Sequence, residues 1–161
     1  MSDAPITTTV DLIRHGEPAG GIKFRGHTDD PLSEQGWAQM RAAGQGGGQW
    51  QAVVSSPLRR CAEFAAELAA SAGIPLETEE RLKEINFGEW EGLTHREVGQ
   101  SAPDSLDRFW RDPIRCTPPG GEDMDAFSAR VMAGWNDLLA RHAGKKILVV
   151  AHGGVNRVIL C

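Results

Sequence analysis

Residues 146–154, KILVVAHGG, decide the fold class of this sequence. The run from Lys146 to Ala151 is apolar on both faces and rich in β-branched residues, which is typical of a strand buried in a parallel sheet. Gly153 and Gly154 follow the run, and a helix is predicted to begin near Val155. A buried strand that passes through a short glycine loop into a helix indicates an α/β fold.

Further strands and helices are predicted on the N-terminal side of this segment. Residues 9–13 and 52–55 are predicted strands because they are short apolar or β-branched runs that end at turn residues. Helices are predicted over residues 33–45, 57–72, 94–99, 104–111 and 125–142, the second with Ser56 as N-cap and Pro57 at its first position. The alternation predicts one domain, residues 1–161, with three layers α/β/α and a mostly parallel central sheet.

The composition is that of a globular protein and excludes some partners. The 161 residues are 40% hydrophobic and 24% charged, and the net charge of -5 argues against a broad surface for nucleic acid or anionic membrane. No apolar run approaches the ~20 residues of a membrane helix, and residues 1–9 lack the apolar core of a signal peptide. Three dispersed cysteines indicate reduced thiols, with Cys61 in the core. We therefore expect a cytoplasmic protein.

Several arginines stand where a helix dipole disfavours a cation. Arg59 and Arg60 fall in the first turn of the helix predicted from Pro57, Arg157 lies near the start of the last helix, and Arg14 directly follows a strand. A bound anion would explain them, because carboxyl ends of parallel strands and helix N-termini converge on such ligands. Any single arginine could equally be solvated. Together, however, the three loops that leave the predicted strands, at residues 14–16, 55–57 and 152–154, favour an anion site.

Two histidines accompany these arginines. His15 and His152 each follow a predicted strand and precede glycine, which lets a ligand approach the backbone closely. Taken alone, each could equally be a turn or core histidine. No third ligand at metal spacing is found, and the arginines would repel a divalent cation, so neither a metal nor another cofactor is expected. We expect His27, His95 and His142 on the surface, His27 at the edge of a cleft.

Four blocks of this sequence carry the candidate residues: LIRHG at residues 12–16, SSPLRRCA at 55–62, LKEINFGEWEG at 82–92 and VVAHGGV at 149–155. Together they resemble the signature of the histidine phosphatase (phosphoglycerate mutase-like) superfamily. The tripeptide RHG alone is a weak motif, but the four blocks in this order, which cover residues 10–160, are specific. The resemblance implies a phosphoglycerate mutase-like fold and phosphoryl transfer without a metal.

The resemblance also implies roles for five residues. His15 would be the nucleophile, Glu84 the proton donor, and the groups that bind the transferred phosphoryl oxygens would be Arg14, Arg60 and His152. In the family block the arginine precedes a small residue, so Arg60 matches that position.

The chemistry of the residues alone leaves three candidate acids, Glu84, Glu89 and Glu91. Apart from the resemblance, each is most simply a solvated loop carboxylate, and this is the interpretation given to Glu89 and Glu91.

The implied mechanism follows from these roles. Neutral His15 attacks phosphorus and forms a phosphohistidine. The two arginines and a protonated His152 stabilise the charge on the equatorial oxygens. Glu84 protonates the leaving alkoxide and then activates water as a carboxylate.

The substrate is expected to be a small phosphorylated metabolite. Residues 24–29, FRGHTD, and 118–122, PPGGE, resemble the α-ribazole phosphatase branch, which makes α-ribazole 5'-phosphate one expectation, with Arg25, Gly26 and Gly153 on the substrate side. A surface position for Arg25 is equally compatible. A phosphoglycerate mutase is the alternative, although the Trp-Asn pair of the glycolytic mutases is absent after Glu17. A catalytically inactive regulatory protein of the same fold is a further alternative.

The C-terminus departs from the family pattern. The sequence ends at Cys161 within the apolar run of residues 158–161, whereas members of the superfamily usually continue for several more elements. A truncated C-terminal part or a short variant is therefore expected. Exposed apolar surface would favour association, so that a homodimer could form.

Overall fold

A four-stranded parallel sheet forms the centre of the computed structural model, which describes residues 6–46 and 48–161. The strands lie in the order β1-β4-β2-β3, and β4 pairs with β1 on one side and β2 on the other. They are β1 (Thr9–Arg14), β2 (Ala52–Ser55), β3 (Leu76–Thr78) and β4 (Lys146–Ala151). The predicted parallel α/β sheet is confirmed, whereas β3 had not been predicted.

Six α-helices accompany the sheet in the described part of the chain. They are α1 (Glu34–Gln45), α2 (Arg59–Ala72), α3 (His95–Ser101), α4 (Pro103–Arg111), α5 (Met124–Arg141) and α6 (Gly153–Leu160). Single turns of 3-10 helix at Glu80–Leu82 and Gly88–Trp90 lie between β3 and α3.

Apolar helix faces cover both sides of the sheet. Side chains alternate along a strand, so the fully buried neighbours Val53 and Val54 belong to opposite layers. Val53 packs in the layer that contains Phe64 of α2, and Val54 packs in the layer that contains Phe127 and Val131 of α5. The predicted three-layer α/β/α arrangement is therefore confirmed.

The start of α2 differs from the prediction. Ser56 does not cap the helix and Pro57 is not its first residue, because the helix begins at Arg59. The backbone N–H of Arg59 donates instead to a carboxylate oxygen of Asp29, 2.7 Å away, from a loop distant in sequence. Gly73 ends the helix in the left-handed conformation (φ 65°), as its position in the sequence predicts.

A small aromatic cap adjoins the sheet. Phe24, Trp90 and Val98 are buried in it, and Phe87 and Phe109 pack around them. The ring centroids of Phe24 and Trp90 lie 5.1 Å apart, and those of Phe24 and Phe87 lie 5.3 Å apart. These contacts hold the loop that follows Phe24 against the segment that follows Glu84.

No helix within residues 6–46 and 48–161 has both the length and the apolar character needed to cross a bilayer. Residues 1–5, which are part of the segment for which no signal peptide is predicted, lie outside the described residues.

Candidate active site

Loops from the carboxyl ends of β1, β2 and β4 meet at one edge of the sheet. They carry His15, Ser56 and His152. The ring centroids of His15 and His152 lie 5.2 Å apart in an edge-to-face arrangement. The backbone N–H of His15 donates to the carbonyl oxygen of Ala151 at 3.1 Å, which joins two of the loops. The parallel sheet thus brings together two histidines that are far apart in sequence.

Local hydrogen bonding leaves one ring nitrogen of His15 unprotonated. Its Nδ1 lies 2.8 Å from the carbonyl oxygen of Gly16, and because a carbonyl can only accept, Nδ1 carries the proton and Nε2 keeps its lone pair. Burial is the main reason that the pKa of His15 falls from 6.5 to about 4, and the charges of Arg60 and Arg14 act in the same direction. The imidazole is therefore neutral near pH 7.

His152 is fully buried beside the start of α2. Its Nε2 lies 2.7 Å from Oγ of Ser56 and 3.7 Å from Sγ of Cys61. Burial, followed by the charge of Arg60, lowers the pKa of His152 well below its usual value. Burial therefore argues against the expected protonated His152, because a buried ring is poorly solvated as a cation.

Of the two adjacent arginines that begin α2, only Arg60 is buried. Its Nη1 donates to the carbonyl oxygen of Thr28 at 2.8 Å and its Nη2 to that of Gly26 at 2.7 Å. Its Nε is buried and has no hydrogen-bond partner among the described residues, so the Nε–H remains available to an anion. Arg59 is exposed and pairs with Glu63 at 2.7 Å, so it is a solvated arginine.

Arg14 extends from the end of β1 toward the start of α6. It is exposed and lines the cavities that open beside His15. A Cβ at position 153 would lie 3.3 Å from Nε of Arg14, so Gly153 leaves room for this side chain. Gly153 itself lines one of the cavities, which is compatible with its predicted place on the substrate side.

Glu84 lies between two cavities and is held by backbone N–H groups. One carboxylate oxygen accepts from the N–H of Ile85 and the other from the N–H of Gly154 in the first turn of α6, both at 3.0 Å. A Cβ on Gly154 would lie 2.3 Å from the carboxylate, so the close approach requires glycine. Of the three carboxylates that the sequence left as candidate acids, Glu84 alone lines these cavities in the described part of the chain.

The two cavities differ in character. One has a volume of about 410 Å³ and a mainly apolar wall. That wall includes Ile85, Phe87, Phe109, Trp110, Met124 and Phe127. The other has a volume of about 440 Å³ and contains His15, with Lys23 and Arg25 at its rim. Arg14 and Glu84 border both, so a phosphoryl group at His15 could have its leaving group in either.

Arg25 and Gly26, predicted on the substrate side, already have protein partners. Arg25 lines the polar cavity but donates to Asp30 at 2.8 Å and to two backbone carbonyl groups. Gly26 is buried; its N–H donates to Glu91 and its carbonyl accepts from Arg60. Gly26 therefore supports Arg60 and has no free backbone group to offer a substrate.

Glu91 is the residue that sequence reasoning missed. It was expected to be a solvated carboxylate, as Glu89 is, but it is half-buried and accepts backbone N–H groups of Gly26, His27 and Thr28. No periodicity or spacing in the sequence indicates these contacts, because the partners lie more than 60 residues away.

The other histidines have varied environments. His95 is exposed, as predicted. His142 is only 8% exposed and its Nε2 lies 2.9 Å from a carboxylate oxygen of Glu77, so the prediction of a surface position is wrong: the end of α5 packs against β3 there. His27 is half-buried, and its Nε2 lacks a hydrogen-bond partner among the described residues. Arg157 lines the apolar cavity from α6.

A parallel α/β sheet with two histidines and two arginines gathered at its carboxyl edge is typical of proteins that transfer phosphoryl groups through histidine. The comparison with protein families agrees with this class. Residues 10–161 match the family model for the histidine phosphatase superfamily (branch 1), and the chain belongs to that superfamily.

Relatives of this chain and similar solved structures include a bifunctional protein and two phosphatases. A bifunctional protein of Mycobacterium tuberculosis is 36% identical over 90% of this chain, which spans only 41% of that protein's length. Glucosyl-3-phosphoglycerate phosphatase of Mycolicibacterium vanbaalenii is 32% identical over 89% of this chain and 68% of its own. Among solved structures, the α-ribazole phosphatase of Shigella flexneri superimposes with a TM-score of 0.83 at 29% identity, over 94% of this chain and 77% of that one.

Proposed function

We propose that this chain hydrolyses small phosphomonoesters through a phosphohistidine formed on His15. One observation carries the proposal: the His15 imidazole is neutral, and its hydrogen bond to Gly16 leaves Nε2 with a free lone pair. A neutral imidazole nitrogen is the form that attacks phosphorus, and nearby arginines supply the positive charge that a phosphoryl group requires.

In the first step, the lone pair on Nε2 of His15 forms a bond to phosphorus while the bond from phosphorus to the ester oxygen breaks. Arg14, the unpaired Nε–H of Arg60 and an N–H of neutral His152 would bind the equatorial oxygens. Glu84, protonated at this stage, gives its proton to the leaving alkoxide, and the alcohol departs.

In the second step, water attacks the phosphorus of the phosphohistidine. The Glu84 carboxylate accepts a proton from that water, the phosphorus–nitrogen bond breaks, and inorganic phosphate leaves with the His15 imidazole neutral again. The position of Glu84 at the border of both cavities supports this role, because the leaving oxygen and the attacking water occupy the same side of phosphorus in turn.

The apolar cavity supports a substrate whose alcohol carries an aromatic or apolar group. Phe109 and Trp110 offer ring surfaces to such a group, and apolar contact of this kind favours binding by about 25 cal/mol per Å² buried. α-Ribazole 5'-phosphate has an aromatic base and is the specific substrate we propose. The Shigella α-ribazole phosphatase of similar structure supports this choice.

Phosphoglycerate mutase activity is the second candidate. A 2,3-bisphosphoglycerate-dependent phosphoglycerate mutase of Gloeobacter violaceus is 30% identical over 92% of this chain and 72% of its own length. A mutase must hold the carboxylate of phosphoglycerate, and Lys23 and Arg25 beside His15 are already paired with Asp30 at 2.9 and 2.8 Å. Interconversion of 2- and 3-phosphoglycerate by the purified chain would establish this candidate over hydrolysis.

The central experiment measures hydrolysis and phosphoenzyme together. Brief exposure to a radiolabelled aryl phosphate should leave acid-labile label on the wild-type chain and none on His15→Ala, and a chelator should not reduce the rate. Hydrolysis by His15→Ala at the wild-type rate would refute the mechanism, and loss of activity in chelator would indicate a metal. A wild-type chain with neither label nor turnover would favour an inactive regulatory protein.

Adjacent arginines provide a matched control for the site. Arg60→Ala should lower kcat/KM by about 100- to 1000-fold, as removal of a transition-state donor does. Arg59→Ala, one residue away but exposed and paired with Glu63, should leave kcat/KM within about twofold. A panel that includes α-ribazole 5'-phosphate, phosphoglycerates and glucosyl-3-phosphoglycerate then identifies the substrate.

A further inference from the structure

Glu91 does not border either cavity of the site, yet its carboxylate accepts an unusual number of hydrogen bonds. One oxygen accepts from the backbone N–H groups of His27 at 2.8 Å, Phe87 at 3.0 Å and Gly26 at 3.1 Å. The other accepts from the N–H groups of Gly26 and Thr28, both at 3.1 Å, and from the Thr28 hydroxyl. Donors of the protein therefore occupy every acceptor position of the Glu91 carboxylate.

The same loop holds Arg60 with its carbonyl groups. The carbonyl oxygens of Gly26 and Thr28 accept from the two terminal nitrogens of the Arg60 guanidinium. The loop of residues 26–28 thus lies between two charged groups. Its N–H groups face the Glu91 carboxylate, and two of its carbonyl groups face the Arg60 guanidinium. Peptide dipoles aligned between an anion and a cation stabilise both and fix the loop between them.

Packing is tight around this loop. Gly26 is buried, and a Cβ there would lie 1.8 Å from the carbonyl oxygen of Ile85 and 2.5 Å from a carboxylate oxygen of Glu91. Burial would raise the pKa of Glu91, but the hydrogen bonds from the Thr28 hydroxyl and the backbone N–H groups outweigh it and hold that pKa below its usual value. The group is therefore ionised at neutral pH and remains an acceptor only.

We propose that Glu91 is a positioning residue: it folds residues 26–28 around its carboxylate so that the carbonyl groups of Gly26 and Thr28 aim the Arg60 guanidinium at the phosphoryl group. This inference rests on the proposed phosphatase function, because the phosphoryl group is the ligand of Arg60. Glu91 contacts no reacting atom, and it acts through the loop alone.

Glu91→Gln tests the inference with little change of shape. Whichever way the amide turns, its NH₂ group faces at least two backbone N–H donors, so the loop must shift. Misplacement of a site group by about 1 Å lowers activity by up to about 100-fold, which is the decrease in kcat/KM that we expect. Glu89→Gln is the matched control, since Glu89 is exposed two positions away, and it should retain the wild-type rate.

A double-mutant cycle separates positioning of Arg60 from general loosening of the fold. In an Arg60→Ala background, Glu91→Gln should lower kcat/KM by less than about threefold further, because the group that it positions is gone. A purely structural role for Glu91 would lower kcat/KM by the same factor in both backgrounds. Equal factors would refute the inference.

Binding of inorganic phosphate, measured by calorimetry, gives a readout that needs no turnover. Glu91→Gln should weaken phosphate binding about tenfold, as loss of one well-aimed charged donor does, and Glu89→Gln should not change it. If the wild type is active and Glu91→Gln binds phosphate and turns over normally, the inference alone fails. A wild type that neither binds phosphate nor hydrolyses esters would refute the proposed function and the inference together.

Thr28→Val covers the case in which Glu91→Gln fails to fold. It removes the hydroxyl that donates to Glu91 but keeps the Thr28 carbonyl that accepts from Arg60. A smaller decrease in kcat/KM, again absent in the Arg60→Ala background, is expected. An unchanged kcat/KM in folded Thr28→Val would contradict the inference.

Discussion

Acidifying the protein from pH 7 toward pH 4 should leave the imidazole of His15 neutral over most of that range. Burial lowers the pKa of this histidine from 6.5 to about 4. At pH 5.5, a histidine with a pKa of 4 is about 97% neutral, whereas one with the ordinary value is about 9% neutral. The nucleophilic form is therefore about tenfold more abundant than an exposed histidine would allow.

The lowered pKa also makes the free energy of unfolding depend on pH. Between pH 4 and pH 6.5 the unfolded chain binds a proton on His15 that the folded chain does not, so stability rises with pH in this window. The shift corresponds to about 3 kcal/mol, lost as the pH falls from 6.5 to about 4. His152, whose pKa burial also lowers, adds to the slope with the same sign.

Nitrogen-15 NMR of the histidine rings measures the protonation state and the tautomer of His15 directly. His15→Gln serves to assign the signals. The His15 signal should show the tautomer protonated on Nδ1 and should titrate with a midpoint of about 4. His15→Gln should also have a shallower increase of unfolding free energy between pH 5 and pH 7. A midpoint near 6.5, or the tautomer protonated on Nε2, would refute the argument that burial and Gly16 prepare the nucleophile.

Two substitutions test the packing around the site. Ser56→Ala leaves Nε2 of His152 buried without its hydroxyl partner at 2.7 Å. This substitution should lower the free energy of unfolding by about 1–3 kcal/mol and kcat/KM about tenfold. The control is Ser55→Ala, which removes a buried hydroxyl that donates to the Ser56 carbonyl oxygen and should keep the wild-type rate. Gly26→Ala places a Cβ 1.8 Å from a backbone carbonyl oxygen, so thermal unfolding should show a loss of about 3 kcal/mol. Gly46→Ala, whose Cβ has its nearest neighbour at 3.8 Å, should change stability little. Normal stability of Gly26→Ala, or normal kcat/KM of Ser56→Ala, would contradict this account.

The central strands β2 and β4 could be predicted because their burial on both faces makes most of their residues apolar. The edge strand β1 is only partly buried, and it could be predicted because it is a short run with apolar and β-branched residues that ends at a turn. β3 is a short edge strand in which Leu76 is 40% exposed, so its sequence has no apolar run and its pairing depends on β2. The start of α2 was misplaced because the helix begins at Arg59, and the N–H of Arg59 is satisfied by Asp29 from a distant loop, which the local sequence does not indicate.

The residues of the candidate site also differ in whether the local sequence could predict them. His15 and His152 could be predicted because each directly follows a strand, and the end of a strand is a local property. The contacts of Glu91 with residues 26–28 and that of His142 with Glu77 could not be predicted, because these partners lie more than 60 residues away and neither residue belongs to a periodic pattern. Their burial depends on which loops and strands pack together.

The sequence by itself determined the α/β class, the parallel direction of the strands and the residues that emerge at their carboxyl ends. Those features follow from hydrophobic periodicity and chain order, which are local. Only the tertiary structure decided that His15 and His152 are neutral, that Arg60 is buried while Arg59 is solvated, and that Glu91 organises a loop. These properties depend on desolvation and on hydrogen bonds between distant segments, which exist only after the chain has packed.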